Sequence, residues 1–168
     1  MKYVIILALL FFSSCKTYQA VTPIENEIAV NATLDAWHKA AADAKFETYF
    51  SLMTSDGVFI GTDATENWQN EAFRDFSKPF FDKGRAWNFT SVERTIYFSE
   101  DKKTAWFDEL LSTQMKICRG SGVLIKQNGN WKIAHYVLSI AIPNDNTDEV
   151  VKIKTAFDDA LLKKLQSK

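Results

Sequence analysis

Apolar positions recur with helical spacing in the first and last parts of the chain. Over residues 25–44 they lie three or four positions apart, which predicts an amphipathic helix. A short helix is predicted over residues 45–53. A third helix with a phenylalanine stripe follows Trp68, and Pro79 is expected to kink or shorten it. A terminal amphipathic helix is predicted from the spacing of Val150, Ile153, Phe157, Leu161 and Leu165.

The pattern changes after Gly84, where aromatic and β-branched residues become frequent. Four strands are predicted, over residues 87–99, 104–113, 118–127 and 131–142. The short links at 100–103 and 128–130 are typical of hairpins, so these strands are expected to form an antiparallel meander. With a short strand at 58–60, this order predicts an α+β domain whose helices cover one face of a curved sheet that is open at one end.

Polar side chains interrupt the later strands at positions where a core strand usually carries Val or Leu. They are Asp108, Glu109, Arg119, Ser121, His135 and Ser139. Because a buried polar group costs free energy unless it is paired, the cluster predicts an internal network or a polar-lined cavity. Lys126 and Lys132 are expected to face water, so strand alternation predicts that the polar groups on their strands face inward. That arrangement predicts a packed apex and a pocket with a polar mouth.

The chemistry open to such a pocket depends on which polar groups meet there. His135 can exchange a proton near neutral pH, or it is a core histidine satisfied by a neighbour. Arg119 needs an anionic ligand, water or a carboxylate partner, for which Asp63, Asp108 and Glu109 are the candidates. Since adjacent strand residues point to opposite faces, at most one of Asp108 and Glu109 shares a cavity with Arg119. Acid–base catalysis and a closed structural ion pair both remain open.

The predicted loop over residues 61–68 is a second candidate site. Asp63 and Glu66 could lie over the pocket mouth, with Trp68 as an apolar lid. Helix capping by Asp63 and Thr65 explains the same residues equally well. The loop is therefore interpreted either as part of the site or as a local capping structure.

Trp37, Trp106 and Trp131 are predicted to form core and cavity wall, because aromatic residues at these spacings usually pack on one another. His38 is placed on the flank of the first helix. The sequence contains no His and Cys cluster at metal-binding spacing, no glycine-rich phosphate loop after a strand and no serine-centred nucleophile elbow. Neither a metal nor a cofactor is expected.

The first residues predict the cellular location of the protein and not its fold. A lysine precedes the apolar run Tyr3–Phe12, which is typical of a signal peptide and too short to span a membrane. Ser13-Ser14-Cys15 resembles a bacterial lipoprotein cleavage box with Cys15 lipidated; a plain secretory signal is the alternative. With Lys16 next, the resemblance favours the periplasmic side of the outer membrane. The predicted organisation is signal 1–14, lipidated tether 15–24, domain 25–145 and terminal helix 146–168.

Charge and cysteine content limit the partners and the stabilising chemistry. The chain has 20 basic and 21 acidic residues, and cleavage before Cys15 removes only Lys2 among them, so the formal net charge changes from -1 to -2. Without a basic patch, a nucleic-acid partner is not expected. Cys15 and Cys118 are the only cysteines, so the fold must stand without a disulfide if Cys15 carries lipid. Cys118 is interpreted as a small buried hydrophobe.

Taken in order, these segments resemble the SnoaL-like branch of the nuclear transport factor 2-like superfamily. The resemblance covers residues 28–144 and is carried by residues 37–40, 61–68, 105–109, 119–124, 131–136, 138–139 and 143–144. It implies a cone of N-terminal helices on a curved antiparallel sheet, commonly dimeric through the outer face of the sheet. The superfamily includes cyclases, isomerases, dehydratases, hydrolases and proteins that only bind or assemble, so the resemblance implies a pocket without naming a reaction.

Two functional hypotheses follow. The first is a lipid-anchored envelope protein that binds a small, mostly apolar molecule bearing a carbonyl or carboxylate and acts on it by acid–base catalysis. Its site would comprise Asp63, Asp108, Glu109, Arg119 and His135, with Trp37, Glu66, Trp68, Trp106, Ser121 and Ser139 lining the pocket. The second is a non-catalytic binding or homodimeric assembly module. A third hypothesis is that the terminal helix docks another envelope protein.

Overall fold

The computed structural model of the protein describes residues 23–167. The predicted signal segment, Cys15 and nearly all of the tether lie outside these residues and stay predictions. Among the described residues, no helix is both long enough and apolar enough to cross a bilayer.

Three helices precede most of the sheet, as the apolar spacing predicts. Helix α1 (Pro23–Ala42), α2 (Phe46–Ser51) and α3 (Asn70–Asp82) are followed near the C-terminus by α4 (Thr147–Gln166). Pro79 lies in the last turn of α3, which ends three residues later, at Asp82. Helix α1 packs on the sheet with one apolar stripe, on which Val30, Leu34, Trp37 and Ala41 are buried.

The strands are β1 (Met53–Ile60), β2 (Asn67–Gln69), β3 (Thr90–Phe98), β4 (Thr104–Thr113), β5 (Lys116–Gln127) and β6 (Asn130–Ile140). They form one sheet in the order β2-β1-β6-β5-β4-β3, and its edge strands do not meet. The predicted four-strand meander is confirmed as β3 to β6. Its last hairpin turns through Asn128 and Gly129, both with positive φ, as a two-residue turn requires. Strand β1 is longer than predicted and lies parallel to β6.

An aromatic core fills the space between the helices and the sheet. The Phe59 and Phe73 rings stack with centroids 4.2 Å apart, and Trp37 contacts Tyr49 and Tyr136 at 4.7 Å. Each such side chain contributes about 1.5–3 kcal/mol when it is fully buried. We call the sheet face that carries this core the inner face, and the opposite one the outer face.

A β-bulge in β6 overturns one prediction about strand orientation. Val123 pairs with His135, whereas the next residue, Leu124, pairs with Ile133, so Ala134 is left without a partner. An extra residue of this kind shifts the two-residue alternation by one position. Odd-numbered residues of β6 therefore face inward before Ala134, and even-numbered residues face inward after it.

The consequence is visible in the burial of β6. Trp131 and Ile133 are buried before the bulge, and Tyr136 and Leu138 are buried after it. The prediction that the later odd-numbered residues face inward is therefore wrong. The residues turned to the outer face are His135, Val137 and Ser139.

Strand β5 is also reversed relative to the prediction, because the Lys126 side chain lies on the inner face and not in water. Its Nζ donates a hydrogen bond to Asn26 Oδ1 at 2.9 Å and lies 5.5 Å from the centroid of the Trp131 ring. Long lysine side chains can cover apolar surface while the ammonium reaches a polar partner. Arg119 and Ser121 lie an odd number of positions from Lys126, so both face outward.

Candidate functional site

The most deeply buried carboxylate of the described chain is Glu109, on the inner face of β4, which is 2 % exposed. His38 Nε2 lies 2.8 Å from its Oε1, and the Tyr136 hydroxyl donates to the same oxygen at 3.0 Å. Arg94 Nε donates to Oε2 at 2.9 Å from the directly opposite position on β3. We call these four residues the Glu109 network.

Arg94 adds further contacts with the first helix, which also carries His38. Its Nη1 donates to Asn31 Oδ1 at 3.0 Å and to Asp35 Oδ1 at 2.8 Å. Its Nη2 also lies 2.9 Å from Glu109 Oε2 but is not oriented for a hydrogen bond, so the Nε contact carries the directional bond. A buried guanidinium between two carboxylates satisfies the requirement that an interior charge be paired.

The network sets the ionisation of its members. Burial is the largest influence on Glu109 and raises its pKa, but the hydrogen bond and charge of His38, followed by the charge and hydrogen bond of Arg94, together lower the pKa below its ordinary value. The pKa of Tyr136 is raised well above its ordinary value, first by burial and then by the Glu109 charge. The folded state therefore favours a Glu109 carboxylate and a neutral Tyr136 hydroxyl that donates to it.

Gly120 makes room for this arrangement on β5. A Cβ at that position would meet the Tyr136 hydroxyl at clashing distance and would lie 2.9 Å from Glu109 Oε1. Glycine inside a strand often marks such a close approach. The absence of a side chain at Gly120 therefore belongs to the construction of the network.

His38 is the member of the network that reaches a groove. A cavity of about 320 Å³ lies between the end of α1 and the start of β3. Its polar lining residues are Asp35, His38, Lys39, Asp43, Asn88, Thr90 and Ser91. His38 itself is 5 % exposed, so the network is almost closed to solvent on this side.

A second cavity, about 290 Å³, lies where β1, α3 and the link into β3 meet. We call it the mouth pocket. Its aromatic lining consists of Phe59, Phe73, Phe76, Phe80, Trp87 and Phe89. Its polar lining consists of Thr62, Glu66 and Gln114.

The largest cavity, about 890 Å³, lies between α4, the end of β6 and the loop after β1. One of its walls is α4, none of whose described residues is buried. The mouth pocket is a better candidate for a specific site, because its walls include Phe59 and Phe73 of the aromatic core.

The structure separates the residues predicted in the loop after β1. Asp63 is exposed, and its Oδ1 accepts hydrogen bonds from Thr65 N at 2.8 Å and Thr65 Oγ1 at 2.6 Å, which lower its pKa. These bonds form a local turn within the loop, whereas α3 begins at Asn70 without a side-chain cap, so the predicted helix capping by Asp63 and Thr65 is wrong. Glu66 lines the mouth pocket, and Trp68 stacks on Phe76 with centroids 4.7 Å apart, beside the pocket lining.

Most of the other predicted site residues lie on the outer face and not in the mouth pocket. They are Trp106, Asp108, Arg119, Ser121, His135 and Ser139. Trp106 is 46 % exposed and stacks on Tyr97, so its prediction as core or cavity wall is wrong. Of the two adjacent acids, Glu109 faces inward and Asp108 outward. The predicted meeting of Arg119, His135 and a carboxylate in one pocket does not occur.

Sequence reasoning missed His38 and Arg94. The prediction that His38 lies on the flank of its helix is wrong, although a signal was present: Leu34 and Ala41 lie four positions before and three after it, on the buried stripe. Arg94 carried no comparable signal, because its role depends on the pairing of β3 with β4. Within residues 23–167, no group of three or more His, Cys, Asp or Glu side chains is arranged to hold a metal ion.

Comparison with known families agrees with this architecture. A model of the SnoaL-like domain matches residues 30–143. A search of curated proteins returned no significant match.

Solved structures share the fold at low identity. One from Novosphingobium aromaticivorans, described as a candidate aromatic ring hydroxylase, is 16% identical with a TM-score of 0.62, covering 73% of this chain and 93% of that chain. A candidate dehydratase of the nuclear transport factor 2-like family from Streptomyces avermitilis is 15% identical with a TM-score of 0.62, covering 73% and 100%. A nuclear transport factor 2-like protein of unknown function from Pseudomonas putida is 12% identical with a TM-score of 0.60, covering 76% and 94%. These likenesses support the cone-shaped α+β fold.

Proposed function

Since the chain belongs to the SnoaL-like domain family, we propose that its domain binds a small, mostly apolar molecule in the mouth pocket. The observation that carries this proposal is the lining: six aromatic side chains surround about 290 Å³, with three polar residues among them. Small-molecule sites are typically concave and apolar, with a few polar groups that orient the ligand. The neighbours described as a candidate hydroxylase and a candidate dehydratase support a ligand pocket but do not indicate a reaction.

Any acid–base chemistry in this pocket would depend on Glu66. It is the only titratable residue in the pocket lining of the described chain. Phe89 lines both the mouth pocket and the 320 Å³ cavity beside His38. Its ring centroid is 6.2 Å from that of His38. The pocket thus supports ligand binding directly and proton transfer only through one carboxylate.

A blocking substitution tests the proposal. Thr62 lines the mouth pocket and is exposed, so a tryptophan there can occupy the space that a ligand would take. We expect Thr62→Trp to weaken binding of indole and benzyl alcohol to the full chain by about tenfold or more, equivalent to ~1.4 kcal/mol. Isothermal titration calorimetry would measure the dissociation constants. Ala64→Trp is the matched control, since Ala64 is exposed in the same loop and lines only the larger cavity beside α4.

Two results would contradict the proposal. The first is that neither indole nor benzyl alcohol binds the unmodified chain. The second is that both tryptophan substitutions reduce binding equally, which would place the probes in the larger cavity or on the loop surface.

A second candidate function, homodimeric assembly, is favoured by the outer face. On this face Trp106 and Tyr97 are 46 % and 44 % exposed, and their rings stack with centroids 5.9 Å apart. Exposed aromatic pairs of this kind often mark interaction surfaces. We propose that a second copy of the chain covers them.

Trp106→Ala should weaken such a dimer by about 2 kcal/mol or more, because central tryptophans often dominate interface energy. Sedimentation equilibrium over a range of protein concentrations would measure the change. Phe80→Ala provides a control, since Phe80 is similarly exposed but lies on α3, away from the outer face. A chain that is monomeric at all concentrations, or a dimer unaffected by Trp106→Ala, would exclude this interface.

A further inference from the structure

The charged lining of the mouth pocket is negative only. Its described lining contains one carboxylate, Glu66, and no Lys, Arg or His. Arg119, the cation that would have made a carboxylate ligand reasonable, faces outward on β5. An anionic ligand would therefore meet a carboxylate without a compensating cation, which is unfavourable in a partly enclosed cavity.

The position of Glu66 is fixed by the loop that carries it. Gly61 N donates to Glu66 O at 3.0 Å, Glu66 N donates to Asp63 O at 2.9 Å, and Glu66 Oε2 accepts from Asp63 N at 3.2 Å. The carboxylate lies directly against Gly61, where any Cβ would clash with it. Both residues line the mouth pocket and also the larger cavity beside α4, and Glu66 is half-buried, so the negative group lies at a wall that the two cavities share.

The remaining walls favour the same kind of ligand. Trp87 and five phenylalanines present ring surfaces, and the negative face of an aromatic ring attracts a cation. Thr62 and Gln114 add oxygen atoms that can accept hydrogen bonds from an ammonium group. Aromatic walls recur in sites that bind quaternary ammonium groups, and a carboxylate adds charge attraction for a cation.

We propose that the mouth pocket selects a compact organic cation, a protonated amine or quaternary ammonium carried on an apolar body. This inference rests on the proposed function and specifies its ligand class. It replaces the sequence-based expectation of a carbonyl or carboxylate ligand. The ammonium group pairs with Glu66, and the apolar body lies among the rings of Phe59, Phe73 and Trp87.

Three probes with the same phenyl body test the charge preference: 2-phenylethylamine as the cation, 2-phenylethanol as the neutral molecule and phenylacetate as the anion. Calorimetry with the full chain at pH 7 and low salt should show the amine binding about tenfold more tightly than the alcohol, with phenylacetate weakest. The preference should decrease at high salt, because ions screen the attraction to Glu66.

Two variants assign the preference to one carboxylate. Glu66→Gln should remove the difference between amine and alcohol binding, and urea unfolding of the variant would show that it is folded. Asp63→Asn removes the same charge from a neighbouring carboxylate outside the pocket lining and should keep the preference.

The outcomes separate this inference from the function on which it rests. Equal binding of amine and alcohol, or a preference that survives Glu66→Gln, would overturn the cation proposal while the pocket remains a site for neutral molecules. Failure of all three probes to bind would overturn the proposed function as well.

Discussion

Glu109→Gln is expected to lower the free energy of unfolding at neutral pH by about 3–5 kcal/mol, because the buried Arg94 guanidinium would lose its interior carboxylate and keep only the exposed Asp35. The Arg94 side chain is 6 % exposed, and Glu109 supplies its interior carboxylate contact. Glutamine has nearly the volume of glutamate, so the loss would report charge and hydrogen bonding instead of a cavity. Urea unfolding at pH 7 would measure the effect.

The adjacent residue offers a matched control. Asp108 follows Phe107 on the same strand but faces outward, and it makes no salt bridge with another described residue. Asp108→Asn should change stability by no more than about 0.5 kcal/mol. If the two substitutions were equally mild, the Glu109 network would not stabilise the fold to the extent that its geometry indicates.

The acid dependence of stability provides a further measure of the same prediction. Because the pKa of Glu109 is lower in the folded state than its ordinary value, the folded protein binds this proton less readily than the unfolded chain. Its stabilising contribution is present above the unfolded pKa, about 4.3, and is lost as the pH falls through the lower folded pKa. The stability difference between the unmodified chain and Glu109→Gln should therefore shrink below about pH 4.

Gly120→Ala is expected to destabilise the protein by about 1–3 kcal/mol, because the new methyl group overpacks a closed region of the interior. The added Cβ would meet the Tyr136 hydroxyl and Glu109 Oε1, and both of these residues are buried. The direction of the effect is informative, since glycine to alanine inside a regular strand is ordinarily stabilising by roughly 0.5–1 kcal/mol. Urea unfolding of the single variant gives this value.

A double-mutant cycle identifies the cause. Tyr136→Phe removes the hydroxyl that the alanine methyl would meet, and alone it should cost about 1.5–3 kcal/mol for a lost hydrogen bond to a carboxylate. In the Tyr136→Phe background, Gly120→Ala should cost less, with a coupling of about 1 kcal/mol. Strictly additive losses would show that the glycine is required for another reason.

The polar groups thus occupy separate regions with different physical roles. The Glu109 network is almost closed, fully paired at its carboxylate and linked to α1 through His38 and Arg94, so substitutions there should change stability first. Glu66 lies in an open pocket with a local backbone partner, so its substitution should change ligand binding first. The outer-face residues Arg119 and His135 belong to neither region.

The sequence by itself determined the elements whose pattern is local. Helical spacing identified the buried stripe of α1, including Leu34 and Trp37, because one face of a helix repeats every three to four residues. Asn128-Gly129 predicted the final hairpin, because a two-residue turn requires positive φ. The resemblance to the SnoaL-like domain, carried by short segments in the right order, predicted the fold that residues 30–143 share with that family.

The tertiary structure alone decided which side chains meet. One unpaired residue, Ala134, reverses the faces of β6, and Lys126 faces the core despite its charge, so strand alternation misplaced His135 and Arg119. The contact of Arg94 with Glu109 depends on the register between β3 and β4. Bulges, register and the parallel pairing of β1 with β6 are set by packing between segments distant in the chain, and a local pattern of apolar and polar residues does not contain that information.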